Sequence, residues 1–180
     1  MGRDKASLVV DGEAMVVRVV RALAEVVDVC VVAAAPSQSL PALAGVLVVR
    51  DREPHGGPLV ALEQAMSALP ADVSHAFVCG SDLPWLSPAV VARMFALSTA
   101  ELTVVERDGL QLLAAVYETS LLPRMSALIK AGQSSMRALA REAATRVIDV
   151  AELLADPQVA LADPSLSSFD DVDSPADLVR

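Results

Sequence analysis

Residues 13–34 read EAMVVRVVRALAEVVDVCVVAA, and the fold turns on how this stretch is divided. From Glu13 to Val27 apolar residues recur at helical spacing, with Arg18, Arg21 and Glu25 left for the other side. The period then changes. Val29-Cys30-Val31-Val32-Ala33-Ala34 is an unbroken apolar run ended by Pro36, the pattern of a strand covered on both faces. Outward from this helix-then-strand unit the signals repeat. Val46-Leu47-Val48-Val49 is a second strand, Gly57-Pro58 opens a helix with proline in its first turn, and His75-Ala76-Phe77-Val78-Cys79 is a third strand. Beyond them lie a helix from Pro88 to Leu97 and a strand pair about Asp108-Gly109, Leu102 to Glu106 with Leu112 to Tyr117. Two helical stretches between Ser120 and Arg141 and a closing helix after Pro175 follow, while Ala155 to Ser168, with Asp-Pro twice, reads as a surface connection. The expected architecture is a three-layer α/β fold with a mostly parallel central sheet, in one domain over residues 1–180.

Composition narrows the function. A net charge of −9 and a pI near 4.6 argue against a nucleic-acid groove, which needs clustered Lys and Arg. A phosphorylated ligand must then meet local positive charge or a metal. Mean hydropathy of +0.50 is high, yet the apolar runs are short of the ~18 residues of a membrane span, and no secretory signal is visible. A soluble cytoplasmic protein is expected. Cys30 and Cys79 sit in strand-like runs without CxxC spacing and read as buried reduced thiols of the core.

In open parallel sheets ligands bind where loops leave the carboxyl ends of the strands, and Asp51 and Asp82 both fall there. Asp82, in Ser81-Asp82-Leu83-Pro84, suits a Mg²⁺ ligand, although an Asp that shapes a turn or caps the next helix fits as well. Asp51 opens a charged loop that runs through His55-Gly56-Gly57 into a helix start able to face an anion; an ordinary solvent loop is the plain alternative. Lys5, in Gly2-Arg3-Asp4-Lys5, can act as a point charge on phosphates or can be a surface lysine. Arg137 and Arg141, one turn apart with Glu142 beside them, read as a solvated helix face. Ser174-Pro175 is a helix cap that leaves Asp171 and Asp173 unexplained.

The order of these segments resembles the molybdenum cofactor guanylyltransferase family, the MobA-like branch of the nucleotidyltransferases with a Rossmann-like fold. Met1-Gly2-Arg3-Asp4-Lys5-Ala6-Ser7-Leu8 is similar to the last half of that family's LAGGxSxRMGxDKxxL. Asp51 through Gly57-Pro58-Leu59 is similar to its DxxxxxGPLxG, with Val60-Ala61 departing from the pattern, and Ser81-Asp82-Leu83-Pro84 to its CDxP with Ser for Cys. Leu113 to Tyr117, Gly132 to Leu139 and Phe169 to Leu178 resemble its later strand, its G-x-x-S-x-R-x-L helix start and its closing F-x-N-[IV]-[ND]-[TS]-P-x-D-L.

The resemblance implies transfer of GMP from GTP to molybdopterin with release of pyrophosphate. It implies Mg²⁺ held by Asp82 with Asp173 nearby, Lys5 on the phosphates, and Asp51 positioning the nucleotide or the metal shell. Transient contact with other molybdenum cofactor proteins is expected as well. The alternatives are a cytidylyltransferase for molybdopterin or another phosphorylated acceptor, and a truncated module that binds without turnover. The family pattern also places a central strand and glycines ahead of Met1. An upstream start of the reading frame is the expectation, with a real truncation as the alternative; without that strand, its neighbours must separate, leave a gap or pair elsewhere.

Overall fold

The computed structural model describes residues 8–51, 56–172 and 177. The chain begins with a hairpin, β1 (Val9–Val10) and β2 (Glu13–Ala14), turned by Asp11-Gly12. Both turn residues have positive φ, 50° and 84°, which matches the right-handed twist of a two-residue hairpin and suits Asp-Gly. Helix α1 (Met15–Ala24) follows and leads to β3 (Cys30–Ala34) and β4 (Val46–Arg50). Then come α2 (Pro58–Ser67), β5 (His75–Cys79), α3 (Pro88–Ala96), β6 (Leu102–Glu106), β7 (Ala114–Glu118), α4 (Leu122–Lys130) and α5 (Met136–Glu142). The described chain closes with β8 (Thr145–Asp149), α6 (Val150–Leu154) and α7 (Pro157–Ala162). The closing helix expected after Pro175 lies outside the described residues.

Two sets of strands carry the fold. β3 and β4 pair in parallel from Cys30 opposite Val46 to Ala34 opposite Arg50. The larger sheet has the order β5-β7-β6-β8, in which β5, β6 and β8 run one way and β7 the other. Strands in it alternate their side chains between two faces. Leu102 and Val104 of β6, with Ala115 and Tyr117 of β7, pack against Leu59, Leu62 and Met66 of α2 and against α4 and α5. Val105, Ala114 and Val116 point the other way, onto Val90 and Met94 of α3, Leu153 of α6 and Val159 of α7. Helices therefore cover both faces, and the expected three layers are present.

Burial separates the two sets of strands. β6 and β7 are buried over four of their five residues, as continuous apolar runs should be. β5 is only half-buried throughout, Ala33 of β3 is exposed, and Leu47 and Val48 of β4 are 48% and 38% exposed. Cys30 and Cys79 are free thiols as expected, but half-buried rather than sealed in a core. Among the described residues β3 and β5 share no hydrogen-bonded register, so a gap lies between them.

Two further segments differ from the sequence reading. β8 gave no strand signal because Thr145, Arg146 and Asp149 surround a single fully buried residue, Ile148, as befits a strand paired on one side only among the described residues. Ala155 to Ser168 is not a surface connection. It contains α7, started by the Asp156 side chain accepting from the Gln158 N–H (2.8 Å), and then a buried polar cluster. There Asp163 accepts from the Ser167 and Ser168 N–H groups at 2.7 and 2.9 Å and from Ser168 Oγ at 2.6 Å. Ser168 Oγ in turn accepts from the Ser87 N–H at 2.8 Å, which ties this segment to the start of α3.

Candidate functional site

Asp82 lies three residues beyond the end of β5, on a turn that begins at Gly80. The Gly80 N–H donates to the Leu113 carbonyl (3.1 Å), and the Asp82 carboxylate folds back over Gly80 so closely that any side chain at residue 80 would collide with it. The turn is pinned from two sides. Arg18 of α1 donates through Nε to the Pro84 carbonyl at 3.2 Å while its Nη1 pairs with Asp11. From the other side the Val172 N–H donates to the Asp82 carbonyl at 2.9 Å.

Below this turn Val10, Met15 and Val172 form a small buried cluster with Leu8 and Trp85 packed against it. Three segments far apart in sequence thus meet at the tip of β5: Leu8 to Val10, the Ser81 to Trp85 turn, and Val172. Lys5 and Asp173 themselves lie outside the described residues. Among the described residues no group of three or more His, Cys, Asp or Glu side chains forms a metal cluster.

Asp51 ends β4. Its N–H donates to the Ala34 carbonyl (2.9 Å), and its Oδ1 is buried with no hydrogen-bond partner among the described residues. A buried acceptor without a donor is costly, on the order of 1–3 kcal/mol, and such an atom at a strand tip is a place for a ligand to supply one. Arg50 points elsewhere, to the Ala35 and Gln38 carbonyls, so it shapes the turn after β3.

Two more of the sequence-read segments come together beside α2. The Leu59 N–H donates to the Ser134 carbonyl at 3.2 Å. Gly57 has φ 88°, and a Cβ there would lie 2.9 Å from Ser134 Oγ and 3.0 Å from its carbonyl oxygen. Glycine is required at this position by both conformation and space. Ser135 caps α5 by accepting from the Ala138 N–H.

Cys79 stands between Asp82 and Cys30. Burial first, then the nearby Cys30 and the Asp82 charge, push its thiol up to about 12, so it is no nucleophile at neutral pH. Two residues escaped the sequence reading. Arg107, at the end of β6, pairs with Asp170 at 2.6 Å, and Asp163 anchors the 163–169 segment beneath Trp85. Neither belongs to a local pattern, so nothing in the sequence marks them.

The comparisons with known proteins agree with this geometry. A profile of the MobA-like NTP transferase domain matches residues 1–147. The chain is 39% identical over 145 residues to the "Probable molybdenum cofactor guanylyltransferase" of Mycobacterium tuberculosis, an alignment that covers 77% of this chain and 72% of that one. In fold it is similar to molybdopterin-guanine dinucleotide biosynthesis protein A of Archaeoglobus fulgidus, with TM-score 0.74, 15% identity, and coverage of 98% and 88%. It is also similar to 2-C-methyl-D-erythritol 4-phosphate cytidylyltransferase of Thermus thermophilus, with TM-score 0.71, 17% identity, and coverage of 99% and 91%. A half-open α/β sheet with an aspartate pinned at the tip of β5, matched by that profile over most of its length, places the chain in the MobA-like NTP transferase family.

Proposed function

We propose that the chain transfers GMP from GTP to the terminal phosphate of molybdopterin, giving the guanine dinucleotide form of the cofactor. The observation that carries this reading is the meeting of Leu8, the Ser81 to Trp85 turn and Val172 around the Asp82 backbone. In the reaction an oxygen of the molybdopterin phosphate bonds to the α-phosphorus of GTP, the bond from that phosphorus to the β-bridging oxygen breaks, and pyrophosphate leaves. The attacking oxygen is already anionic at neutral pH, so no general base is needed. Positioning and charge neutralisation are what the protein must supply.

Asp82 offers a hard carboxylate oxygen at a strand tip and Asp51 a buried oxygen still lacking a donor; both donor types fit Mg²⁺. Bound there, the ion would neutralise charge on the triphosphate and on departing pyrophosphate. Asp82 is assigned as its principal ligand and Asp173, the next residue after Val172, as a second carboxylate. Lys5 steadies the phosphates, and Asp51 positions the nucleotide. The close approach of Gly57 to Ser134 and the Leu59 N–H bond to the Ser134 carbonyl fix the backbone at the start of α2. No helix of the described residues is long and apolar enough to cross a membrane. The cytoplasm, where GTP is made, and transient contact with other molybdenum cofactor proteins belong to the same reading.

The test is turnover on molybdopterin with GTP, CTP and ATP compared in kcat/KM. A preference for GTP of at least about tenfold is expected, equivalent to ~1.4 kcal/mol in the transition state. Preference for CTP would make the chain a cytidylyltransferase. Nucleotide binding without turnover would make it a binding module.

A further inference from the structure

The connection between β6 and β7 reaches the Asp82 turn by two routes. It is a compact loop from Arg107 to Leu113, in which the Arg107 N–H donates to the Gly109 carbonyl at 3.0 Å and the Gln111 N–H to the Val105 carbonyl at 2.9 Å. At its far end the Leu113 carbonyl accepts from the Gly80 N–H at 3.1 Å, which holds the start of the turn. At its near end Arg107 Nη1 donates to Asp170 Oδ1 at 2.6 Å.

The second route continues along the chain. Two residues beyond Asp170 stands Val172, fully buried with Val10 and Met15, and its N–H donates to the Asp82 carbonyl at 2.9 Å. Asp170 is steadied from behind, its own N–H donating to the Ser167 carbonyl at 3.0 Å within the segment that Asp163 anchors. Together the two routes close a ring: Arg107, Asp170, Val172, Asp82, Gly80, Leu113, and back through the hairpin to Arg107. Because the Asp82 carboxylate lies folded over Gly80, its direction follows the backbone that this ring holds. Within the ring only the Arg107–Asp170 link joins one side chain to another, so it is the member that a substitution can open without altering the turn itself. Those side chains are 27% and 30% exposed, and ion pairs so placed add little to global stability, so the effect of the link is local.

We propose that Arg107 is a positioning residue: through Asp170 and Val172 it fixes the turn that aims the Asp82 carboxylate. This rests on the nucleotidyl transfer proposed above, in which Asp82 is the group that acts on charge. The Arg107 guanidinium is engaged by Asp170 and works through that strap of chain, not on a phosphate.

The test uses Arg107→Ala, Arg107→Lys, Asp170→Asn and the Arg107→Ala/Asp170→Asn pair, in steady-state kinetics and in amide hydrogen exchange. Arg107→Ala should lower kcat on the order of 10-fold with KM for GTP changed less than about twofold, since misplacing a group far from its anchor costs rate at fixed binding. Asp170→Asn should do the same, and the double variant should be no worse than either single one, because both remove one link. Arg107→Lys, which keeps a point charge, should restore part of kcat. Thermal unfolding should move by less than about 4 °C in all four. In the same variants the Val172 amide should exchange on the order of 10-fold faster relative to Val116 of β7, a strand paired on both edges. Unchanged Val172 exchange, or losses that add in the double variant, overturn the inference. So does a raised KM for GTP in Arg107→Ala that Asp170→Asn does not share, which would put the guanidinium on the triphosphate. A wild-type chain that transfers no GMP refutes the transfer reading alone, and Val172 exchange then still decides whether Arg107 holds the turn.

Discussion

At the scale of single residues, Asp82 is held through its backbone, by the Val172 N–H, and among the described residues no side chain hydrogen-bonds its carboxylate. Asp82→Asn is expected to lower kcat/KM about 100-fold or more, with thermal unfolding unchanged, because in the proposed reaction the group it removes acts on charge in the transition state and not in the core. Equal loss of stability would make Asp82 a turn former. Gly80→Ala should have a similar kinetic effect for a steric reason: the added Cβ displaces the carboxylate. Asp51 provides a contrast between stability and function. Removing its buried, donorless oxygen in Asp51→Ala should leave the unfolding temperature equal or higher while raising KM for GTP; a large stability loss would show that the oxygen has a partner in the folded chain. The placement of Asp51 and Asp82 just beyond strands β4 and β5 was legible in the sequence because each follows an apolar run. That Asp82 is gripped by Val172 was not, since the long stretch of chain between them carries no local trace of the contact.

At the scale of elements, the helices and strands whose pattern is carried by their own apolar residues were all legible, from α1 through β7. Those defined by what they rest against were not. β8 has one fully buried residue and borrows its register from β6, and the 163–169 segment is ordered by a carboxylate with three donors rather than by a hydrophobic run. Asp163→Ala strands the Ser167 and Ser168 N–H groups beside Trp85 and Ser87. The expected cost is about 2–4 kcal/mol in chemical denaturation, because buried donors lose a charged acceptor. A change under about 0.5 kcal/mol would mean that water reaches the cluster and the segment is no more than a surface connection. The gap beside β3 was legible only through the motif order; the apolar runs alone imply that β3 and β5 are fully buried.

At the scale of the whole molecule, stability should plateau around neutrality and fall on both sides. On the acid side, Arg124 foremost and then the Ala144 N–H hold the Glu101 carboxyl below its ordinary 4.5. That stability is present above about 4.5 and is lost as the pH falls through the lowered value. Glu101→Gln should flatten the acid limb of a plot of unfolding temperature against pH, and an unaltered limb would assign acid sensitivity to other carboxylates. On the alkaline side, Cys79 is pushed up to about 12 from 9.0, and burial raises Tyr117 as well, whose hydroxyl donates to the Leu112 carbonyl. Both contributions are complete below the unfolded values and fade as the pH climbs through the raised ones.

The gap between β3 and β5 also sets a timetable. Its walls, Cys30–Ala34 and His75–Cys79, leave the ribosome one after the other, and the second follows the first by about 2–8 s at typical synthesis rates. The edge of β3 that faces β5 has no strand of the larger sheet beside it during that interval. The apolar β3–β4 pair stays exposed and adhesive until the larger sheet and its helices have been made, so nascent chains of this protein should depend on a holding chaperone early in translation and release it once β5 has emerged.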